Sequence, residues 1–94
     1  MEADHPLRIL FVEDAPADAE LAQRALRKEG LVFASLCVET RDTFLAALAE
    51  FRPDLIISDY AMPEFDGMQA LQLSLAHDAT LPFLILTSRD EETA

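Results

Sequence analysis

Apolar and polar residues follow one another along this chain in two different periods, one typical of strands and one typical of helices. Four short apolar runs predict four strands, at residues 8–12, 32–38, 55–58 and 83–86. The segments between them repeat apolar residues at three- and four-residue spacing, which predicts amphipathic helices. This β-α-β-α-β-α-β alternation predicts an α/β domain with a parallel sheet covered on both faces.

The three predicted helices carry recognisable end signals. Pro16 suits the first turn of the first helix, and Gly30 is placed to end it. Thr40 is a candidate N-cap for the second helix, which Pro53 limits. The apolar stripes are Leu21, Ala22, Ala25 and Leu26 in the first helix, Phe44, Leu45, Leu48 and Phe51 in the second, and Met68, Leu71 and Leu75 in the third.

Composition narrows the classes of function. The length of 94 residues predicts one domain, and a hydrophobic fraction of 51% is sufficient for a packed core. The net charge of −11 argues against nucleic-acid binding by this segment and against adhesion to anionic lipid. It suits a protein that binds cations or basic partner surfaces.

The setting predicted for the chain is cytoplasmic. No apolar run approaches the ~20 residues of a membrane span, and the N-terminus lacks the pattern of a signal peptide. Cys37 is the single cysteine, so no internal disulfide can form, which favours a reducing compartment. We predict that Cys37 lies in the core and that His5 and His77 are surface residues.

Polar side chains end three of the predicted strands. Glu13-Asp14 follow the first, Asp59 ends the third, and Thr87-Ser88 follow the fourth. In an open parallel sheet ligands gather beyond the carboxyl ends of the strands, so these groups are expected to converge if the three strands are neighbours.

Clustered carboxylates repel one another unless a cation lies between them, and oxygen ligands favour Mg²⁺, with Mn²⁺ as the alternative. A metal beside a carboxylate also suggests phosphoryl chemistry. Purely structural roles remain alternatives to a metal site with phosphoryl chemistry: Asp14 could be a helix cap, Asp59 a turn residue and Thr87 an N-cap.

In combination these residues resemble the receiver domain of two-component response regulators. The resemblance rests on Glu13-Asp14 after RILFV, on DYAMPEFDG from Asp59, and on Thr87 after FLIL, and it covers about residues 8–94. It implies the flavodoxin-like doubly wound fold with strand order 2-1-3-4-5. It also implies a phosphorelay in which a sensor histidine kinase or phosphotransfer protein is the donor and an output domain or effector is the target.

The resemblance further implies roles for particular residues. Asp59 would accept the phosphoryl group, and Thr87 would contact it. Asp14, Asp59 and the backbone carbonyl of Ala61 would ligate Mg²⁺, with Glu13 acting through a bound water. Met62 would pack beneath the loop that Pro63 and Gly67 shape.

One part of the family pattern has no counterpart in this sequence. The family's fifth strand ends in a lysine and is followed by a fifth helix, whereas the only lysine here is Lys28. We therefore expect a receiver that is truncated before its fifth strand. The run Phe83–Leu86 is then expected to be an edge strand that pairs with another chain, which predicts a dimer.

Two other functions are alternatives to phosphoacceptance. An aspartyl-phosphate phosphatase would need a second acid two residues after Asp59, where Ala61 stands, so this enzyme class is disfavoured. A pseudo-receiver that serves only as a protein-interaction module remains the alternative. Under the phosphoacceptor hypothesis and under the pseudo-receiver hypothesis alike, the chain is not expected to be a turnover enzyme.

Overall fold

The structure is a computed structural model that describes residues 6–60, 62 and 64–86. Within these residues strands and helices alternate as the sequence predicts. The strands are β1 (Leu7–Val12), β2 (Phe33–Val38), β3 (Leu55–Asp59) and β4 (Phe83–Leu86), and the helices are α1 (Pro16–Lys28), α2 (Arg41–Glu50) and α3 (Gly67–His77).

The four strands form one parallel sheet in the order β2-β1-β3-β4, which confirms the order predicted for them. At the carboxyl edge, Val12 of β1 pairs with Val38 on one side and with Ser58 on the other. Asp59 of β3 pairs with Leu86 of β4. The residues that follow β1 therefore emerge beside the end of β3.

Alternate residues of the central strands enter two separate cores. Leu10, Val12 and Ile56 are fully buried on the face covered by α2 and α3. The rings of Phe44 and Phe65 meet on that face with centroids 5.4 Å apart. The second core, on the face covered by α1, consists of Ile9, Phe11, Phe33 and Ile57.

Helix α1 is confirmed, but its predicted stripe is wrong in part. Ala19 is buried, and Ala22 and Leu26 pack against the sheet. Leu21, in contrast, is 60% exposed, and Ala25 is exposed as well. The helix is thus rotated away from the face that the sequence pattern indicates.

Contacts between α1 and β2 explain this rotation. The hydroxyl of Ser35 donates a hydrogen bond of 2.9 Å to Oε1 of Gln23. The guanidinium of Arg27 lies 4.2 Å from the ring centroid of Phe33, a favourable cation–π distance. These contacts turn Gln23 and Arg27 towards the sheet and turn Leu21 towards solvent.

Helix α3 is also confirmed, with small residues on its buried side. Gly67, Ala70 and Ser74 are buried, whereas Met68 and Leu75 are exposed, so these two members of the predicted stripe do not face the core. Small side chains allow the helix axis to approach the sheet closely. In α2 the predicted stripe is right: Phe44 and Leu48 are buried, and Leu45 and Phe51 pack against them.

Cys37 lies on the edge strand and is exposed, so its predicted place in the core is wrong. Its sulfur lies 3.6 Å from the carbonyl oxygen of Glu13. Partial burial raises the pKa of the thiol, and the negative charges of Glu13 and Glu39 raise it further.

His77 is exposed as predicted, and His5 lies outside the described residues. No helix in the described part of the chain is long and apolar enough to cross a membrane.

Candidate metal centre

Three carboxylates converge at the carboxyl edge of the sheet. Glu13 and Asp14 follow β1 directly, and Asp59 is the last residue of β3. Because β1 and β3 are neighbouring parallel strands, one carboxylate oxygen of each residue lies within 4.8 Å of those of the other two. The predicted meeting of these residues is thus present in the structure.

The three carboxylates differ in their exposure to solvent. Asp59 is only 8% exposed, Glu13 is half-buried and Asp14 is exposed. The amide of Glu13 donates to the carbonyl of Val38, which continues the β1–β2 ladder, and the amide of Ala15 donates to Oε2 of Glu13. The buried carboxylate of Asp59 is therefore fixed by its strand, whereas the acidic pair Glu13-Asp14 lies closer to solvent.

The pKa of Glu13 is raised by its burial and by the neighbouring negative charges. Burial raises the pKa of this side chain from 4.5 to about 7, and the charge of Asp59, the contact with Asp14 and the charge of Asp18 act in the same direction. The hydrogen bond from Ala15 opposes them. A cation among the carboxylates would relieve this repulsion.

The backbone after Asp59 is held by the next strand and the next helix. The amide of Tyr60 donates to the carbonyl of Leu86, and the amide of Gly67 donates to the carbonyl of Tyr60 at 3.1 Å. The Ser58 hydroxyl donates to the carbonyl of Asp59 at 2.9 Å. Met62 is buried, in agreement with its predicted packing role.

A cavity of about 410 Å³ opens beside the cluster. Glu13, Asp18 and Asp59 line it together with apolar residues of β1, β3 and β4. The sequence analysis did not propose a role at the site for Asp18. Its position in the first turn of α1, directly after the acidic pair that ends β1, is the signal that points to this location.

One ligand, one contact residue and one loop residue predicted from the sequence have no described position. Ala61 and Thr87 lie outside the described residues, as does Pro63, so their roles stay predictions. Leu86, the last residue described, pairs with Asp59. Asp66 caps α3 by accepting a hydrogen bond from the amide of Gln69.

The donor set fits Mg²⁺. The three convergent groups are all carboxylate oxygens, one of them buried, and Mg²⁺ is bound in proteins by hard oxygen ligands with several retained waters. Cys37 is the single cysteine, and among the described residues no histidine joins the group, which disfavours a soft metal.

Comparison with known proteins places this geometry in a family. The model of the response regulator receiver domain matches residues 9–94. The transcriptional regulatory protein TrcR of Mycobacterium tuberculosis is 35% identical over 88 residues, which cover 90% of this chain and 32% of TrcR. The chain spans about a third of the length of such curated relatives.

Solved structures share the fold. The signal receiver domain of a histidine kinase from Syntrophus aciditrophicus is 34% identical, with a TM-score of 0.73 over 89% of this chain and 64% of that one. The receiver domain of the sensor histidine kinase PA1611 from Pseudomonas aeruginosa is 25% identical, with a TM-score of 0.74 over 90% of this chain and 70% of its own. That structure has a magnesium ion coordinated in its active-site cleft.

The sheet order and the helices on both faces correspond to the flavodoxin-like fold of these receivers. With the family model matching nearly the whole sequence, the chain belongs to the response regulator receiver domain family of two-component signalling systems.

Proposed function

We propose that this receiver domain takes a phosphoryl group onto Asp59 in the presence of Mg²⁺ and thereby switches an output partner. The observation that carries the proposal is the carboxylate cluster of Glu13, Asp14 and Asp59 at the end of two adjacent strands. Asp59 is the buried member, on a central strand that holds it rigidly beside a cavity. A nucleophile needs this fixed placement.

The metal site we propose is formed by Asp14, Asp59 and the backbone carbonyl of Ala61, with Glu13 acting through a water. Mg²⁺ is the proposed ion and Mn²⁺ an alternative, because both accept oxygen ligands. When bound, the ion neutralises charge on the phosphoryl oxygens. The close carboxylates and the raised pKa of Glu13 support a cation at this position.

The chemistry proposed for Asp59 is nucleophilic. A carboxylate oxygen attacks the phosphorus of a phosphohistidine, and an O–P bond forms as the P–N bond breaks. The electron pair of that bond returns to the imidazole, which leaves on the donor protein. We propose that the Thr87 hydroxyl contacts the transferred group, a role supported by the pairing of its neighbour Leu86 with Asp59.

The donor we propose is a sensor histidine kinase or a phosphotransfer protein, and the target is an output domain or effector. A cytoplasmic location follows from such a donor. The domain itself would not be a turnover enzyme, because the phosphoryl group stays on its own side chain. We assign any enzymatic or DNA-binding output to the output domain or effector. The net charge of −11 argues against nucleic-acid binding by these 94 residues.

We also propose that β4 mediates a dimer. In the described part of the chain β4 pairs with β3 alone, and its four residues are all apolar. Leu84 and Leu86 are 51% and 46% exposed. An uncharged strand edge of this kind is a template for pairing. Sedimentation at tens of micromolar should reveal a dimer that Leu84→Lys disrupts, and a monodisperse wild-type monomer would refute it.

Intact mass measurement tests phosphoacceptance. The purified chain is incubated with acetyl phosphate, with Mg²⁺ or with EDTA, as wild type and as Asp59→Asn. We expect a gain of one phosphoryl group that requires Mg²⁺ and is absent in Asp59→Asn. Asp66→Asn is the matched control, because Asp66 lies at the end of the segment that follows Asp59 and caps α3. No gain in the wild type, or a gain retained in Asp59→Asn, would refute the proposal.

A further inference from the structure

A groove of about 780 Å³ runs along the outer edge of β2 and adjoins the cavity at Asp59, with which it shares Glu13 and Ala19. It is bounded by α1 on one face of the sheet and by α2 on the other. Leu36, Ala46 and Phe51 contribute apolar surface on the α2 side. Leu36 remains 40% exposed, an unusual position for a leucine on a strand. The groove therefore offers apolar surface that this chain leaves uncovered.

The rim of this groove is acidic. Glu20 lies on the α1 side, Glu39 at the end of β2 and Glu50 on the α2 side. Among the described residues that line the groove none is basic. A protein with a net charge of −11 thus places several carboxylates around this apolar groove, which favours a cationic occupant.

The backbone at the floor of the groove is an open sheet edge. β2 is the outermost strand, and in the described residues it pairs with β1 alone. None of the six residues of β2 is charged, and none is proline, so the strand lacks the features by which edge strands usually resist pairing. An extended segment can add to such an edge through main-chain hydrogen bonds.

We propose that the outer edge of β2 is a docking site for an extended segment of a partner protein in which basic residues alternate with apolar ones. The apolar residues meet Leu36, Ala46 and Phe51 on the α2 side. The basic residues point to the other face of the added strand, where they meet Glu20 and Glu39. A second copy of this chain does not fit, because pairing two β2 edges would bring two acidic rims together.

The probe for this site is an acetylated peptide of alternating lysine and valine, matched in length to β2. A peptide of the same composition in two blocks controls for pattern, and a glutamate–valine peptide controls for charge. Fluorescence anisotropy gives the dissociation constants. Amide hydrogen exchange then compares β2 with β4, and binding should slow exchange in Phe33–Val38 while leaving Phe83–Leu86 unchanged.

Two pairs of charge-matched variants separate docking from attraction by net charge. Glu20→Gln with Glu39→Gln removes the two carboxylates of the rim that face the basic residues, and we expect the dissociation constant to rise about fivefold, as for two exposed ion pairs. Glu29→Gln with Glu64→Gln removes two exposed carboxylates elsewhere and should change it less than twofold. Circular dichroism confirms that each variant is folded.

Leucine variants test the apolar part of the site. Leu36→Lys should abolish binding of the lysine–valine peptide, whereas Leu21→Lys, at a more exposed leucine of α1, should not. Asp59→Asn should bind as wild type, which makes this outcome independent of phosphoacceptance. Equal effects of both glutamate pairs, or protection of β4 in place of β2, would overturn the proposal.

Discussion

The first residue of α3 lies against the backbone of the proposed phosphoacceptor. A methyl group added to Gly67 would lie 2.9 Å from the carbonyl oxygen of Asp59 and 3.1 Å from the Cα atom of Tyr60. Real Cβ atoms essentially never show the first of these distances, so only glycine fits here without a shift. The packing of α3 and the position of the candidate metal centre are thus coupled through one contact.

Gly67→Ala should therefore disturb the site as well as the fold. We expect a loss of about 1–3 kcal/mol in the free energy of unfolding, typical of overpacking at a tight contact, together with weaker Mg²⁺ binding. Urea denaturation and Mg²⁺ titration measure the two effects. Gly30→Ala is the control: Gly30 has φ +93° and open space around it, so alanine should lower stability without altering the Mg²⁺ response.

Mg²⁺ should stabilise the wild-type chain, because it binds the folded cluster and not the unfolded chain. At a concentration one hundred times the dissociation constant the gain is about 2.7 kcal/mol. Asp14→Asn and Asp59→Asn should abolish it, and Glu50→Gln, at the far end of α2, should retain it. Equal Mg²⁺ stabilisation of the two aspartate variants and the wild type would contradict the assigned ligands.

Tyr60 provides a second readout of the same binding event. It is the only tyrosine, the chain has no tryptophan, and it follows Asp59 directly. Its intrinsic fluorescence should therefore change in proportion to site occupancy.

In EDTA the charge of Glu13 should make stability fall as pH rises. Its pKa in the folded chain is about 7, against an ordinary 4.5, so folding favours the protonated form. The associated stability is present below pH 4.5 and is lost as pH rises to about 7. Glu13→Gln should remove this part of the pH dependence, measured as the difference between two series of urea melts. If the stability of wild type and of Glu13→Gln changed with pH in the same way, the role assigned to Glu13 would be contradicted.

The second helix should depend on its N-cap. The Thr40 hydroxyl accepts a hydrogen bond from the amide of Thr43, whose own hydroxyl accepts from the amide of Thr40. Thr40→Ala should lower the free energy of unfolding by about 1 kcal/mol, and Thr40→Ser should restore most of it. If serine is as destabilising as alanine in chemical denaturation, the hydrogen bond is not the cause.

The alternation of strands and helices and the acidic ends of the strands were predictable, because a linear pattern carries both, whereas the strand order was implied by the resemblance to the receiver family. Glu13, Asp14 and Asp59 each follow an apolar run, and parallel strands bring such positions to one edge. The N-cap role of Thr40 follows equally from local chemistry.

The errors concern contacts between elements. Leu21 and Ala25 are apolar at helical spacing, yet the Gln23–Ser35 hydrogen bond and the Arg27–Phe33 contact orient α1 differently. Hydrophobic periodicity does not register polar contacts of this kind. Similarly, the exposure of Cys37 depends on how far α1 extends over the edge strand, which no local pattern encodes.

The most direct test identifies the atom that carries the phosphoryl group. The chain is phosphorylated with acetyl phosphate and Mg²⁺, reduced with borohydride to convert aspartyl phosphate into homoserine, and digested, and the fragments are sequenced by mass spectrometry. We predict homoserine at position 59 alone. Homoserine at Asp14, Asp54 or Asp66 with an intact Asp59 would contradict the assignment of the phosphoacceptor.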